Sequence, residues 1–135
     1  MTAEGEALDE VTPELVRRIE SALAEGRSEI ARDLLAGLSG AGQAHVLEQV
    51  TEAEREALVD LLKGALDPEA LTELDVEVLE GVLEQLDSKD IAAAARELDT
   101  DDAVNLIEDL PEEEQREILA ELPAEERAEI ETALA

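Results

Sequence analysis

A ladder of apolar residues spaced twelve apart constrains this chain more than any other feature. It runs Leu38, Val50, Leu62, Leu74, Leu86, Leu98, Leu110, Leu122, Leu134. Eight and nine positions after the rungs comes a second apolar pair, as in Val46/Leu47, Leu58/Val59, Val82/Leu83, Leu106/Ile107 and Ile118/Leu119. A fixed internal period is the signature of repeat architectures. Rung, +8, +9 and +12 is the spacing of one buried helical face with a turn just past each rung. Each unit is then a helix of about nine or ten residues, roughly 14 Å long. A helix that short does not persist alone, because nucleation is costly. Stacking on other units must hold it. The predicted fold is all-α, a superhelical, solenoid-like array of short antiparallel helices, with residues 12–135 as one domain behind an acidic, weakly ordered segment, 1–11.

The side chains available narrow this further. Leu, Ile and Val number 37, and Phe, Trp and Tyr are absent. At about 1.5–3 kcal/mol per fully buried aliphatic side chain, these suffice for a core. Thin branched residues suit closely packed helices better than a deep ligand cavity. No run approaches the length of a membrane span, Met1–Glu10 shows no signal-peptide pattern, and cysteine is absent, which removes disulfides and thiolate metal sites. A cytoplasmic protein is expected.

Charge decides which partners are possible. The chain carries 38 acids against 10 bases, a net charge of −28. The imbalance grows along it: −9 over residues 1–67 and −19 over residues 68–135. Phosphate contacts need the opposite sign, so nucleic acid is excluded as a partner, and so is an anionic membrane surface. Cations, a basic protein or a saline solvent remain. Such self-repulsion destabilises the compact state, and salt or divalent ions should relieve it.

The helix punctuation follows the register. Thr12-Pro13 reads as an N-cap followed by proline at the first helical position; that helix carries Leu15, Val16, Ile19 and Leu23 and stops near Gly26. Ser28 is expected to cap the next helix, which Gly37 closes. Ser39-Gly40-Ala41-Gly42 is the most flexible interior link and the expected hinge. Thr51-Glu-Ala-Glu54 is a capping-box pattern, and Lys63–Pro68 delays the following helix to 68–74. Asp75, Asp87 and Asp99 fall where N-caps belong, with Pro111 and Pro123 at the same offset ahead of glutamate runs. Ala92–Ala95 reads as a close helix–helix contact, Gly64 as a turn and Gly81 as a packing site. His45 lies beside Val46 on the core-facing pattern and reads as a partly buried structural histidine.

Three stretches carry a family resemblance: Leu86-Asp-Ser-Lys-Asp-Ile-Ala, Leu98-Asp-Thr-Asp-Asp-Ala-Val-Asn-Leu-Ile-Glu-Asp-Leu-Pro-Glu-Glu, and Glu126-Arg-Ala-Glu-Ile-Glu131. In order and phasing they resemble the cytosolic amino-terminal domain of MgtE-type magnesium transporters, over about residues 38–134. The resemblance implies a superhelix of short helices that precedes CBS domains and a membrane pore. It further implies a regulatory role: Mg2+ bridges acidic faces of this domain and the CBS domains and holds the pore shut. The metal-binding residues it implies are Asp99, Asp101, Asp102 and Asn105, with Mg2+ bound weakly and shared with the partner domain. Thr100 stands where the family usually has proline, and Asn105 where it often has an acid. The chain ends at Ala135, about where the CBS pair should begin, as an excised domain or a stand-alone protein would.

Other readings of the same residues stand beside this one. Asp99-x-Asp-Asp also serves as an N-cap with dipole-favoured first-turn acids, worth about 1–2 kcal/mol in total. The runs Glu112–Glu114 and Glu125–Glu126 read as solvated faces. An enzyme is the weakest reading: one histidine, two lysines and no thiol leave no activated nucleophile, and an exposed acid cluster lacks a water-excluding pocket. The alternative class is a stand-alone acidic α-solenoid module that binds a basic protein on its concave face. Its acidity would suit a halophilic source.

Overall fold

Caps written into the sequence set the helix starts. Thr12 Oγ1 accepts the Leu15 N–H at 3.1 Å, just ahead of Pro13. Ser39 Oγ accepts the Gly42 N–H at 3.2 Å. Thr51 and Glu54 close the expected capping box at 3.2 and 2.9 Å, and Asp87 and Asp90 close a second at 3.0 and 3.3 Å. Asp67 accepts from the Glu69 N–H at 2.9 Å and is followed by Pro68 at the first helical position. Each cap satisfies a donor that the helix itself cannot.

The computed structural model describes residues 11–135, which form helices joined by short turns, with no strand among them. In chain order the helices are α1 (Pro13–Ala24), α2 (Ser28–Ala36), α3 (Gly40–Gln49), α4 (Glu52–Leu62), α5 (Pro68–Glu73), α6 (Val76–Gln85), α7 (Ser88–Arg96), α8 (Thr100–Ile107), α9 (Glu112–Ala120) and α10 (Ala124–Leu134). They divide into two compact units, α1–α6 ending at Gln85 and α7–α10 over Leu86–Ala135. Apart from Val11, the expected weakly ordered segment 1–11 lies outside the described residues.

Within each unit most helices pack on their next-but-one neighbour, while α1 packs on α2. In the first unit α2 meets α4, α3 meets α5 and α4 meets α6; in the second α7 meets α9 and α8 meets α10. Two twelve-residue steps thus separate stacked helices. The +8/+9 pair drives this, since Val46, Leu47, Leu58, Val59, Val82, Leu106, Ile107 and Ile118 are all buried to 4% exposure or less. The rungs are shallower. Val50, Leu62, Leu74 and Leu122 are buried, while Leu38, Leu86, Leu98, Leu110 and Leu134 are half-buried. Polar bonds follow the same stacking. The Asp67 N–H donates to Gln43 Oε1 at 3.0 Å, the Asp75 N–H to Glu48 Oε2 at 2.9 Å, and Gln85 Nε2 to the Glu56 carbonyl at 2.9 Å. The all-α, solenoid-like array expected from the register is what the chain forms.

Several local expectations differ from the structure. Ser39–Gly42 is no hinge: it caps and opens α3, and Gly40 is buried where α3 crosses α5. A Cβ on Gly40 would lie 2.5 Å from Glu69 Cβ and 3.0 Å from the Ala70 nitrogen. Glycine is there because the backbones approach that closely. His45 is exposed, with the Gln49 amide donating to its Nε2. The buried polar residue is Gln43, 2% exposed, which donates to the Leu38 carbonyl at 3.4 Å as well as accepting from Asp67. Ser28 does not cap α2, whose preceding residue Arg27 makes no side-chain cap bond. As expected, α1 ends at Gly26, at φ +76°, the Arg27 N–H reaching the Ala22 carbonyl at 2.8 Å, a closure that favours glycine. Gly64 sits in a turn at φ +84° as expected. Gly81 packs against nothing.

These two helical glycines predict opposite outcomes. Gly40→Ala should lower stability by about 1–3 kcal/mol, because backbone must move to admit the methyl. Gly81→Ala should raise it by about 0.5–1 kcal/mol through helix propensity. Urea denaturation of both variants checks the pair.

Candidate functional site

The chain's longest acid-rich stretch falls on the second unit, beginning at the start of α8. Leu98 ends the preceding turn, its N–H bonded to the Ala95 carbonyl at 3.2 Å. Asp99 then takes an extended backbone (φ −61°, ψ 156°) and its carbonyl accepts the Ala103 N–H at 2.9 Å. It therefore occupies the N-cap position, as its offset from the rung requires. Its carboxylate makes no cap hydrogen bond. This sets it apart from Asp87, twelve residues earlier, where the same Asp-x-x-Asp spacing closes a reciprocal box with Asp90.

Three residues of α8 hold it in place and three face outward. Ala103, Leu106 and Ile107 are buried; Asp101 and Asn105 are exposed and Asp102 is half-exposed. Asp101 and Asn105 are four apart and Asp102 and Asn105 three apart, so all three share one helical face. The first-turn aspartates also sit at the positive end of the helix dipole, which lowers the cost of keeping them charged. The fold thus carries the anticipated oxygens on one short solvent-facing segment. Among the described residues no three acid, histidine or cysteine side chains converge as a metal site.

Little positive charge offsets these acids. After Gly37 there are 29 acids and 6 bases. Lys63 lies 3.7 Å from Asp60 and Arg96 lies 3.2 Å from Glu126. Exposed pairs of this kind contribute about 0–1 kcal/mol each. Two more bases are turned onto the backbone. Arg55 Nε donates to the Leu47 carbonyl at 2.7 Å and Nη2 to the Val50 carbonyl at 3.5 Å. Arg127 does the same with Leu119 and Leu122, at 3.0 and 3.1 Å. Gln115 reaches the Glu108 and Leu110 carbonyls at 3.1 and 2.8 Å. These three side chains occupy the same place in the twelve-residue register, and each satisfies carbonyls that the preceding helix leaves without partners. Gln115 in this way fixes the corner between α8 and α9. Sequence reasoning passed over all three, although their shared register position was visible.

A carboxyl pair in the first unit shows the strain of so many acids. A side-chain hydrogen bond to Glu54 raises the pKa of Glu20, with burial and Glu54's charge acting in the same direction. Glu54 is lowered, chiefly by the Thr51 N–H it accepts in the capping box.

Short helices stacked within each unit, an exposed surface rich in acids and no convergent metal cluster among the described residues define an all-α helical-repeat class. Within that class the chain belongs to the family described as the MgtE intracellular N domain, which matches residues 38–135. A crystal structure of the soluble part of a magnesium transporter shares the fold, with a TM-score of 0.66 and 24% sequence identity over 90% of this chain. The match covers 48% of that structure's chain, so this chain spans about half its length. No curated protein matches the chain. None of the described helices is long and apolar enough to cross a membrane.

Two measurements follow from these bonds. Arg127→Ala should cost about 1–3 kcal/mol by stripping two carbonyls of a charged donor. Arg127→Gln should recover part of that, since Gln115 makes the equivalent pair of bonds; chemical denaturation reads both. For the carboxyl pair, a folded pKa above the unfolded value means that Glu20 favours folding at low pH and opposes it once pH rises through the raised value. Glu54 has the opposite sign: its contribution is present above the ordinary carboxylate value of 4.5 and is lost as pH falls through its lowered one. Glu20→Gln should therefore raise Tm at neutral pH, with a smaller gain near pH 4, in a thermal melt series.

Proposed function

We propose that this chain is the regulatory, non-catalytic cytoplasmic domain of a magnesium transporter or channel. In this reading Mg2+ bridges its acidic surface to an acidic partner domain of CBS type and so controls the pore. The observation that carries the proposal is the start of α8: Asp101 and Asp102 project from an exposed first turn, and the Asp99 carboxylate makes no cap bond. Membership of the MgtE intracellular N domain family supplies the context. The soluble transporter part of the same fold extends well beyond the region matched here, which leaves room for a partner domain in a longer chain.

The donor chemistry fits the ion. Mg2+ prefers hard oxygen ligands, holds its waters tightly and takes one or two carboxylates from a protein surface. Asp99, Asp101, Asp102 and the Asn105 carbonyl offer that kind of partial shell. A second acidic surface would complete it. Without the ion, two anionic faces repel across a distance set by the Debye length, about 8 Å at physiological ionic strength. With it, the repulsion becomes a bridge. The domain would act at the cytosolic face of the inner membrane, through cations and a partner domain, without inserting in the bilayer.

Amide chemical shifts of the chain, titrated with MgCl2 and with NaCl at matched ionic strength, test this. Shifts specific to Mg2+ are expected at Asp101, Asp102 and Asn105, weak in affinity and lost in the Asp101→Asn/Asp102→Asn variant. Identical responses to the two salts, or Mg2+-specific shifts elsewhere only, would sink the assignment.

A further inference from the structure

The α1–α2 pair differs in chemistry from the rest of the chain. Residues 13–36 hold five acids and four bases, nearly balanced, whereas residues 37–135 hold 29 acids and 6 bases. The pair also lies ahead of the matched family domain, which starts at residue 38. Between α1 and α2 runs a groove of about 400 Å³. Ile30, 45% exposed, lies in it; among the described residues only Val76 is a more exposed large apolar side chain. Arg17, Arg18 and Arg27 line the groove together with Glu14 and Glu25.

We propose that this groove is a self-association surface on which a second copy of the chain docks two-fold symmetrically, with Ile30 in the contact. A two-fold interface is one patch facing itself, so it must be self-complementary. A groove lined by Ile30 and Leu34 together with side chains of both charge signs meets that requirement. Arg27 lies 3.4 Å from Glu25, both well exposed, and such a pair is weak enough to exchange its partner for one across the interface. Charge also selects the face. Two chains of −28 repel over most of their surfaces, and this hairpin is where they can meet with little net charge on either side. An acidic partner would be drawn to the three arginines but would face Glu14 and Glu25 as well. A contact confined to one helical hairpin is weak and depends on concentration.

Sedimentation equilibrium of the full 135-residue chain at rising protein concentration tests the proposal. NaCl is raised from about 0.01 M to about 0.15 M, which shortens the Debye length from roughly 30 Å to roughly 8 Å. A monomer–dimer equilibrium that strengthens with salt is expected, because screening removes the long-range repulsion and leaves the apolar contact. Ile30→Ser should weaken it by about tenfold. Val76→Ser should leave it unchanged, and both sites are exposed enough for the fold to survive. A monomer under every condition, equal effects of the two variants, or association that weakens as salt rises would overturn it; the last would indicate attraction between opposite charges instead.

Discussion

None of the described helices is long enough to stand by itself, and everything else in the structure depends on how they are held. They run from 6 to 12 residues, at or below the length at which an isolated helix is marginal in water. From α3 on, what sustains them within each unit is burial of the +8/+9 pair against the helix two steps along, while α1 is held by α2. Because the same positions recur every twelve residues, each helix meets a similar face and presents a similar one. Stability in such an array is roughly a sum of local terms and nearest-interface terms. The turns are therefore part of the packing. Arg55, Gln115 and Arg127 finish the preceding helix with side-chain donors while their own helices pack, so one residue serves both the stop of one helix and the placement of the next.

This economy shapes the surface. Aliphatic side chains facing inward at +8 and +9 leave the opposite face of most of these short helices to solvent. The sequence fills much of that exposed surface with glutamate and aspartate, which suit first turns through the dipole. Bases are few, and two of the six after Gly37 are turned to backbone carbonyls. The anionic field after residue 37 is thus uncompensated by construction. It persists because the acids are spread along the surface, where water screens them. Where two are pushed together, as with Glu20 and Glu54, one of the pair holds its proton to a higher pH.

Much of this was legible in the residues. The twelve-residue ladder fixed the helical class, and Thr51 and Asp87, one step past a rung, are caps by chemistry as well as by position, while Thr12 was readable from its chemistry alone. Three features were not legible, each for the same reason: their roles depend on contacts 24 or more residues away. Gly40 reads as flexibility until α5 is placed against it, when its missing side chain becomes a packing requirement. His45 lies exposed where its local pattern suggests burial, and Gln43, two residues earlier, is the buried one, accepting the Asp67 N–H and donating to the Leu38 carbonyl. Next-but-one stacking likewise cannot be told from a chain of simple hairpins by period alone, as both repeat every twelve. At the candidate site the position of Asp99 was readable and its missing cap bond was not.

That missing bond bears on how an ion could act here. A ligand shifts an equilibrium between docked and undocked states only by the difference in its affinity for the two. A complete coordination shell on this domain alone would bind Mg2+ equally well in both, and would regulate nothing. The acids of α8 lie along one exposed turn without converging as a metal site, so any shell they offered an ion would be partial. A partial shell is weak when the surface is alone and strong when a second anionic surface completes it. The difference between those two affinities is the coupling free energy available to a switch. Poor convergence of the aspartates is, on this account, the property that would let the ion report on docking instead of merely decorating the helix.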